Sequence, residues 1–319
     1  GVVGGEENMR RNIFAIFMIG LVALLLLLPV VRDDLYLLTI LSIALCYSVL
    51  AASWDFFSGY TGRENFGISA FVAVGGYLVG LVTSSFNAPP ILSILMGFIL
   101  AGIVGFLIGL PTLRLHGPYF ALATLALVTI AENLVLAFAR VTGGEDGLYG
   151  LPYLTVTIEG SYYYVLVFAI ISISILFLLG RSNFGLILKA INSDEEATRS
   201  SGIKVTRYKL LSLSLSAAFA GATGALLAHF YGYIGRDVVF QANLLIIIMA
   251  TVGGTGFVLP AALGGITISL LTEYIRAFGE LKNLTYTVVL MVMVLFVPGG
   301  LFSFVFAKNA SRKRGVPNE

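Results

Sequence analysis

Uninterrupted apolar runs of about 20 residues recur through almost the whole chain, and they decide what it can fold into. A helix of that length rises about 30 Å, the thickness of the hydrocarbon core of a bilayer. A membrane β-strand needs only about 10 residues and alternates apolar with polar side chains. These runs do not alternate. With lipid as the solvent, every backbone N–H and C=O must be paired inside the chain, and a helix does this within one segment. Composition agrees: 11% of the residues are charged and 58% hydrophobic, whereas a soluble domain carries roughly 25% charged residues. The expected fold class is an all-α polytopic membrane protein.

Ten spans are expected, at 13–31, 35–57, 66–86, 90–113, 118–140, 162–180, 208–232, 240–259, 260–279 and 284–306. The eighth and ninth are short and nearly fused, so 240–279 reads either as two spans or as one re-entrant unit. Glycines after the second span and at Gly253, Gly254 and Gly256, close to Pro260, can break helices. The two breaks suggest broken-helix segments in corresponding places of two related halves. Tight helix packing is the alternative use of glycine, as the GxxxG spacings Gly76/Gly80 and Gly105/Gly109 suggest. The first run lacks a small-residue cleavage site and is read as a retained anchor. Residues 1–12 are then an N-terminal tail, 13–307 the transmembrane domain, and 308–319 a basic C-terminal tail. With the N-terminus inside, 14 of the 19 lysines and arginines fall on inner connections, the bias that sets orientation. An even number of spans also places the C-terminus inside. The localisation expected is the plasma (inner) membrane, multi-pass, with both termini cytoplasmic. A net charge of +2 gives no reason to expect nucleic acid, and the single Cys46 excludes an intrachain disulfide.

Two connections are long. The inner one, 181–207, contains Ser193, Asp194, Glu195, Glu196 and Ala197, then Gly202. Ser193 or Asp194 can cap a helix that starts at Glu195, because a side-chain oxygen there accepts orphan N–H bonds. Glu195 and Glu196 then lie in the first turn, where the helix dipole favours negative charge. Gly202 suits its end. A short amphipathic helix on the cytoplasmic face follows, either docking in a groove on a partner or lying solvated without one. The outer connection, about 141–161, is glycine-rich and acidic. No GxxxxGK[ST] phosphate loop occurs, so no ATPase site is expected in this chain.

The inner segment resembles the coupling loop of ABC importer permeases, in which EAA is followed by three residues and glycine. Glu196, Ala197, Thr198 and Gly202 stand at that spacing, with threonine for the second alanine. The wider resemblance is to branched-chain amino acid permeases of the LivM type. It rests on Phe184–Ile203, on TGGEDGLYGLP at Thr142–Pro152, on LRLHGPYFALATLAL at Leu113–Leu127, and on MATVGGTG at Met249–Gly256 followed by Pro260 and Gly264. It covers about residues 35–300. The sequence departs from the pattern after the second span, where Ile68 stands in the place commonly held by histidine and Arg63–Glu64 precede it. The resemblance implies a permease subunit without catalysis of its own and with no metal. It binds a branched-chain amino acid or a related small solute, and ATP and Mg belong to partner subunits. The implied partners are two cytoplasmic ABC ATPases, a second related permease and an extracytoplasmic solute-binding protein. Ser193–Gly202 would dock on the ATPase, and the outer loop with Gly143, Gly144, Asp146 and Gly147 would face the binding protein or an outer gate.

Polar groups inside the spans are the pathway candidates, because a charge at mid-bilayer costs roughly 2.5–3.5 kcal/mol and needs a reason. They are Asp55, Arg63, Glu64 and Asn65 around the end of the second span, Glu132 and Asn133 in the fifth, and Asn243 with Gly253, Gly254 and Gly256 in the eighth. A neutral Glu132 serving as structural glue and an interfacial ion pair at Arg63–Glu64 are the bland alternatives. Three rival functions remain: an ion-coupled secondary transporter using Glu132, an ABC permease for urea or short amides, and a lipid-acting membrane enzyme. The last would need a polar catalytic cluster, and none is seen.

Overall fold

The computed structural model describes residues 20, 23–27, 29, 34–86, 88–240, 242–276 and 300–302. Among the described residues the fold is all-helical apart from one two-residue ladder. Among the described residues, seven helices are long and apolar enough to cross a membrane. Most of the expected spans 13–31 and 284–306, and the C-terminal tail, lie outside the described residues. The orientation of the termini therefore finds no test in the described residues.

Helix α1 (Leu35–Thr61) is started by Asp34, whose side chain accepts from the Tyr36 and Leu37 N–H groups, and ends at Gly62 in the left-handed conformation. The third expected span is a continuous helical stretch with a π turn inside it. It consists of α2 (Ile68–Ala73), a π-helical turn at Val74–Leu78, and α3 (Val79–Phe86). Then come α4 (Pro90–Thr112), opened by a proline at its first position where no N–H is needed, and α5 (Pro118–Ala137). After the short α6 (Ala139–Thr142) and strand β1 (Leu148–Tyr149), α7 (Ile158–Arg181) crosses back. It leads into two short helices, α8 (Asn183–Ser193) and α9 (Glu195–Ser200). The long α10 (Val205–Tyr231) follows, then β2 (Tyr233–Ile234), α11 (Arg236–Val239), α12 (Asn243–Gly253) and α13 (Val258–Arg276). Within 242–276 the chain forms two helices, α12 and α13, separated by a break at residues 254–257.

Helix α4 is inside-out relative to a helix of a soluble protein. On α4, Gly97, Ala101, Gly102, Gly105 and Gly109 are buried, while Ile91, Leu95, Ile99, Ile103, Leu107 and Leu110 are exposed. Lipid is as apolar as leucine, so burying large apolar side chains gains little. Association comes instead from close backbone approach across small residues. The facing helix is α10, with Ser214, Ala217, Ala218, Gly221 and Ala225 against α4. On its other sides α10 meets α1, α2 and the π turn, and it is the hub of the bundle. The contact is tight enough that a Cβ at Gly221 would lie 2.7 Å from the Gly97 carbonyl oxygen and still closer to Ala101. GxxxG spacing at Gly105/Gly109 therefore serves packing, whereas Gly75 and Gly76 lie in the π turn, pressed on Gly221 and Ile234. The two ends of the bundle are tied differently. At one end, the Tyr36 hydroxyl donates to Glu273 Oε1 at 2.5 Å, joining the start of α1 to the end of α13. At the same end, β1 pairs antiparallel with β2, Leu148 opposite Ile234. The other end carries α8 and α9.

Gly221→Val should overpack the α4–α10 contact by about 1–3 kcal/mol. Thermal melting of the detergent-solubilised protein should fall by several degrees, while Leu107→Val, on the exposed face of α4, should leave it unchanged.

Candidate functional site: a broken-helix junction and a carboxylate hub

The end of α1, the turn that follows it, and the break between α12 and α13 meet at one junction. Asp55 is fully buried on α1, and its Oδ1 accepts from the Gly256 N–H at 2.7 Å. A carboxylate there sits before the N-terminus of the 19-residue α13, where the helix dipole favours negative charge. Asp55 therefore ties α1 to the chain just before a helix that is some 200 residues away in sequence. Its Oδ2 has no hydrogen-bond partner among the described residues. The break exists because Gly254 and Gly256 take φ of 127° and 80°, a region L-residues with a Cβ avoid. The 300–302 segment closes over it, with the Leu301 N–H donating to Val252 O at 2.7 Å and Phe302 N–H to Gly253 O at 3.1 Å.

Deeper in the bundle, polar side chains satisfy the backbone of the turn between α1 and α2. Trp54 Nε1 donates to Asn65 O at 2.6 Å, and the Ser58 hydroxyl accepts from the Asn65 N–H at 3.1 Å. Asn65 Oδ1 accepts from Gly67 N–H, and Thr124 Oγ1 accepts from Phe66 N–H. Asn243, at the start of α12, accepts from the Ser69 hydroxyl at 2.9 Å and from the Ser69 N–H. Its amide donates to Phe66 O at 2.9 Å. Asn243 thus fastens α12 to the beginning of α2. Asn65 Nδ2 is buried without a partner among the described residues. Trp54 belongs to this core, being 4% exposed.

The second constellation lies on α9. Asp194 is the N-cap, accepting from the Ala197 N–H at 2.9 Å, while the Ser193 hydroxyl turns back to Lys189 O. Glu195 receives three cations: Arg63 at 2.9 Å, Arg199 at 2.9 Å and the buried Lys209 at 2.8 Å. Arg63 pairs with this residue and not with its neighbour Glu64, which is exposed. Its second Nη group donates to Leu115 O at 2.9 Å. One guanidinium therefore joins the turn after α1, the α4–α5 connection and α9. Burial alone would raise the Glu195 pKa, but the hydrogen bonds and charges of Lys209 and Arg63 outweigh it and hold the carboxyl at about 2, down from 4.5. Glu196 and Ala197 face outward, and Gly202 stands in open space at φ 84°. Lys189, on α8, is pushed down in pKa by burial and partly restored by the charge of Asp55.

Glu132 and Asn133 are not part of the junction. Glu132 forms a close ion pair with Arg236 at the start of α11, and Arg236 also reaches Glu145 at 3.6 Å. Asn133 donates to Thr129 O in its own helix and is exposed. The outer-loop residues lie at the same end as Glu132. Gly147, at φ 83°, lies against the Ile234 carbonyl, leaving no room for a side chain. Gly143 packs on Gly147, and Gly144 on Ala139; Asp146 is exposed. Sequence reasoning missed Lys209 and Lys189 as site residues. Neither stands out from other inner basic residues until the fold brings each beside a carboxylate.

Seven helices apolar and long enough to cross a membrane, with a polar junction sealed among them and a capped helix exposed at one end, are the features of a multi-pass membrane permease. The model of the family described as the permease component of branched-chain amino acid transport systems matches residues 36–297, and the chain belongs to that family. It is 27% identical to the high-affinity branched-chain amino acid transport permease LivM of Salmonella typhimurium, over 82% of this chain and 69% of that protein. The Escherichia coli LivM permease gives the same identity and coverage. A probable branched-chain amino acid permease, LivH, of Methanocaldococcus jannaschii is 26% identical over 74% of this chain and 80% of its own length. No solved structure matches.

Because the Glu195 pKa is depressed in the folded state, its contribution to stability is complete above about pH 4.5 and is lost as the pH falls toward about 2. Glu195→Gln should cost about 1.5 kcal/mol at neutral pH, the low end for bonds to a charged group. The low end applies because 23% of the side chain is still exposed. Denaturation of wild type and variant at pH 7 and pH 5 should show the same gap at both.

Proposed function

We propose that this chain is the membrane-spanning permease of an ATP-driven importer for a branched-chain amino acid or a closely related small solute. The observation that supports this most is the position of α9. It presents Glu196 and Ala197 outward on a helix capped by Asp194, while the neighbouring Glu195 is bound inward to the turn that ends α1. A partner that pushes on the outward face acts directly on the turn leading into the junction. In this reading the partner is a cytoplasmic ABC ATPase, two of which serve a pair of related permease chains. ATP and Mg are bound there and not in this chain. The α8–α9 end faces the cytoplasm, with both termini on that side. The end carrying Gly143, Gly144, Asp146 and Gly147 receives solute from an extracytoplasmic binding protein.

The junction is the gate. Asp55, Asn65, Asn243, Gly253, Gly254 and Gly256 line or shape it, and alternate access follows when the two broken segments separate. Family membership supports the solute class, since the relatives named above are branched-chain amino acid permeases. The ion-coupled reading loses its motive, because Glu132 is held by Arg236 and is not a solitary intramembrane acid.

The test is uptake of radiolabelled leucine into proteoliposomes that contain the whole assembly. Uptake should require ATP. Glu196→Lys and Gly202→Pro should each reduce it at least about 10-fold, the loss expected when about 1.4 kcal/mol of coupling is removed. The complex should still be purified intact. ATP hydrolysis without leucine uptake would discard the solute, and failure to associate with any ATPase would discard the importer.

A further inference from the structure

Helix α8 lies between α9 and the junction, and three of its side chains reach the end of α1. Phe184 stacks on Phe56 with ring centroids 6.1 Å apart, and Asn192 donates to Gly59 O at 3.2 Å. The ammonium of Lys189 lies 4.6 Å from the ring centre of Tyr60 and 4.3 Å from that of Phe257. Only the third contact spans the seam, because Tyr60 belongs to α1 and Phe257 to the break before α13. Asp55 lies within electrostatic reach of the same ammonium. One of its oxygens is taken by Gly256, and the other is buried with no hydrogen-bond partner among the described residues.

The seam has no slack. A Cβ at Gly59 would lie 2.5 Å from the Gly256 nitrogen, so α1 and the break touch backbone to backbone. Contacts of that kind part in a step and do not stretch gradually. The link from α9 to α8 is equally short. Asp194 alone separates them, serving as the last cap of α8 and the first cap of α9. A displacement of α9 must therefore move α8.

We infer that Lys189 is a latch on the junction: its ammonium bridges Tyr60 of α1 and Phe257 of the break, and movement of α9, carried through Asp194 into α8, withdraws it and lets the seam part. Lys189 is a positioning residue that does not touch solute. The inference rests on the transport reading for its trigger, but the latch can be read without solute.

Val258 is 1% exposed and packs in one apolar cluster with Phe56, Tyr60 and Leu188. It makes a reporter as Val258→Cys in a Cys46→Ala background. The intact complex is reconstituted and treated with a membrane-impermeant maleimide from the α8 side, with no nucleotide and no solute. Lys189→Met keeps the length of the stem and removes the charge, and it should speed labelling by about 5-fold or more, the effect of losing a cation–π contact of ordinary strength. Lys189→Arg keeps a cation able to lie on both rings and should restore labelling to near the parental rate. Asp55→Asn, which removes the charge facing the ammonium, should also speed labelling and serves where Lys189→Met fails to assemble. Labelling unchanged in both charge-removing variants overturns the latch. Arginine behaving like methionine overturns it as well, since the fit of the lysine stem and not its charge would then matter. If the parent complex takes up no leucine while the labelling differences stand, the solute reading falls and the latch remains. If uptake is ATP-driven and labelling is flat, the latch falls and the transport reading remains.

Discussion

A backbone that leaves its helix inside a membrane must find other partners for its N–H and C=O groups, because lipid offers none. That requirement explains where the polar side chains of this bundle are. The turn after α1 runs through the bundle as irregular chain, and Trp54, Ser58, Asn65, Thr124 and Asn243 each serve one of its backbone groups. The break before α13 is served by Asp55 and by the 300–302 segment. These residues are buried polar groups of the kind that is costly when unpaired, and they occur where helix hydrogen bonding stops. The same residues seal the breaks and hold them together across the sequence.

The rest of the bundle supplies rigidity. Around α10 the contacts are glycine, alanine and serine against backbone, with little room for side-chain repacking. These tightly packed helices meet the two breaks in helix hydrogen bonding at the junction. The π turn at Val74–Leu78 fits this picture, because it adapts a span at its closest approach to α10 without opening it to lipid.

Much of this was readable from residue order. Apolar runs located the crossing helices, since period and length are properties of one segment. Asp194 as the cap of α9 was readable too, because capping is a local bond. The glycines at 253–256 announced a break, for only glycine takes those φ values easily. What the order of residues could not show is pairing across distance. Arg63 beside Glu64 looked like a local ion pair, yet its partner is Glu195, 132 positions away. Glu132 looked like a lone intramembrane acid, yet Arg236 closes on it from 104 positions away. The fifth helix ends at Ala137, so Glu132 lies within its last two turns and not at its middle. In each case the local signal was real, and the partner that settles its meaning is brought in by topology.

The α8–α9 unit is joined to the rest of the bundle at several points, and two of them differ in kind. Arg63 joins Glu195 to the turn after α1 through a charge pair, fixed at its far side by the Leu115 carbonyl. Lys189 joins α8 to the break before α13 through ring faces and the field of Asp55. The first contact is directional and holds one geometry. The second is broad, since a cation slides over an aromatic face at little cost. Glu195 is also bound by Lys209 of α10, and Phe184 and Asn192 of α8 meet Phe56 and Gly59 of α1. The unit is therefore anchored to the hub as well as to the turn after α1, and of its contacts the ammonium over two rings is the one that reaches the break before α13.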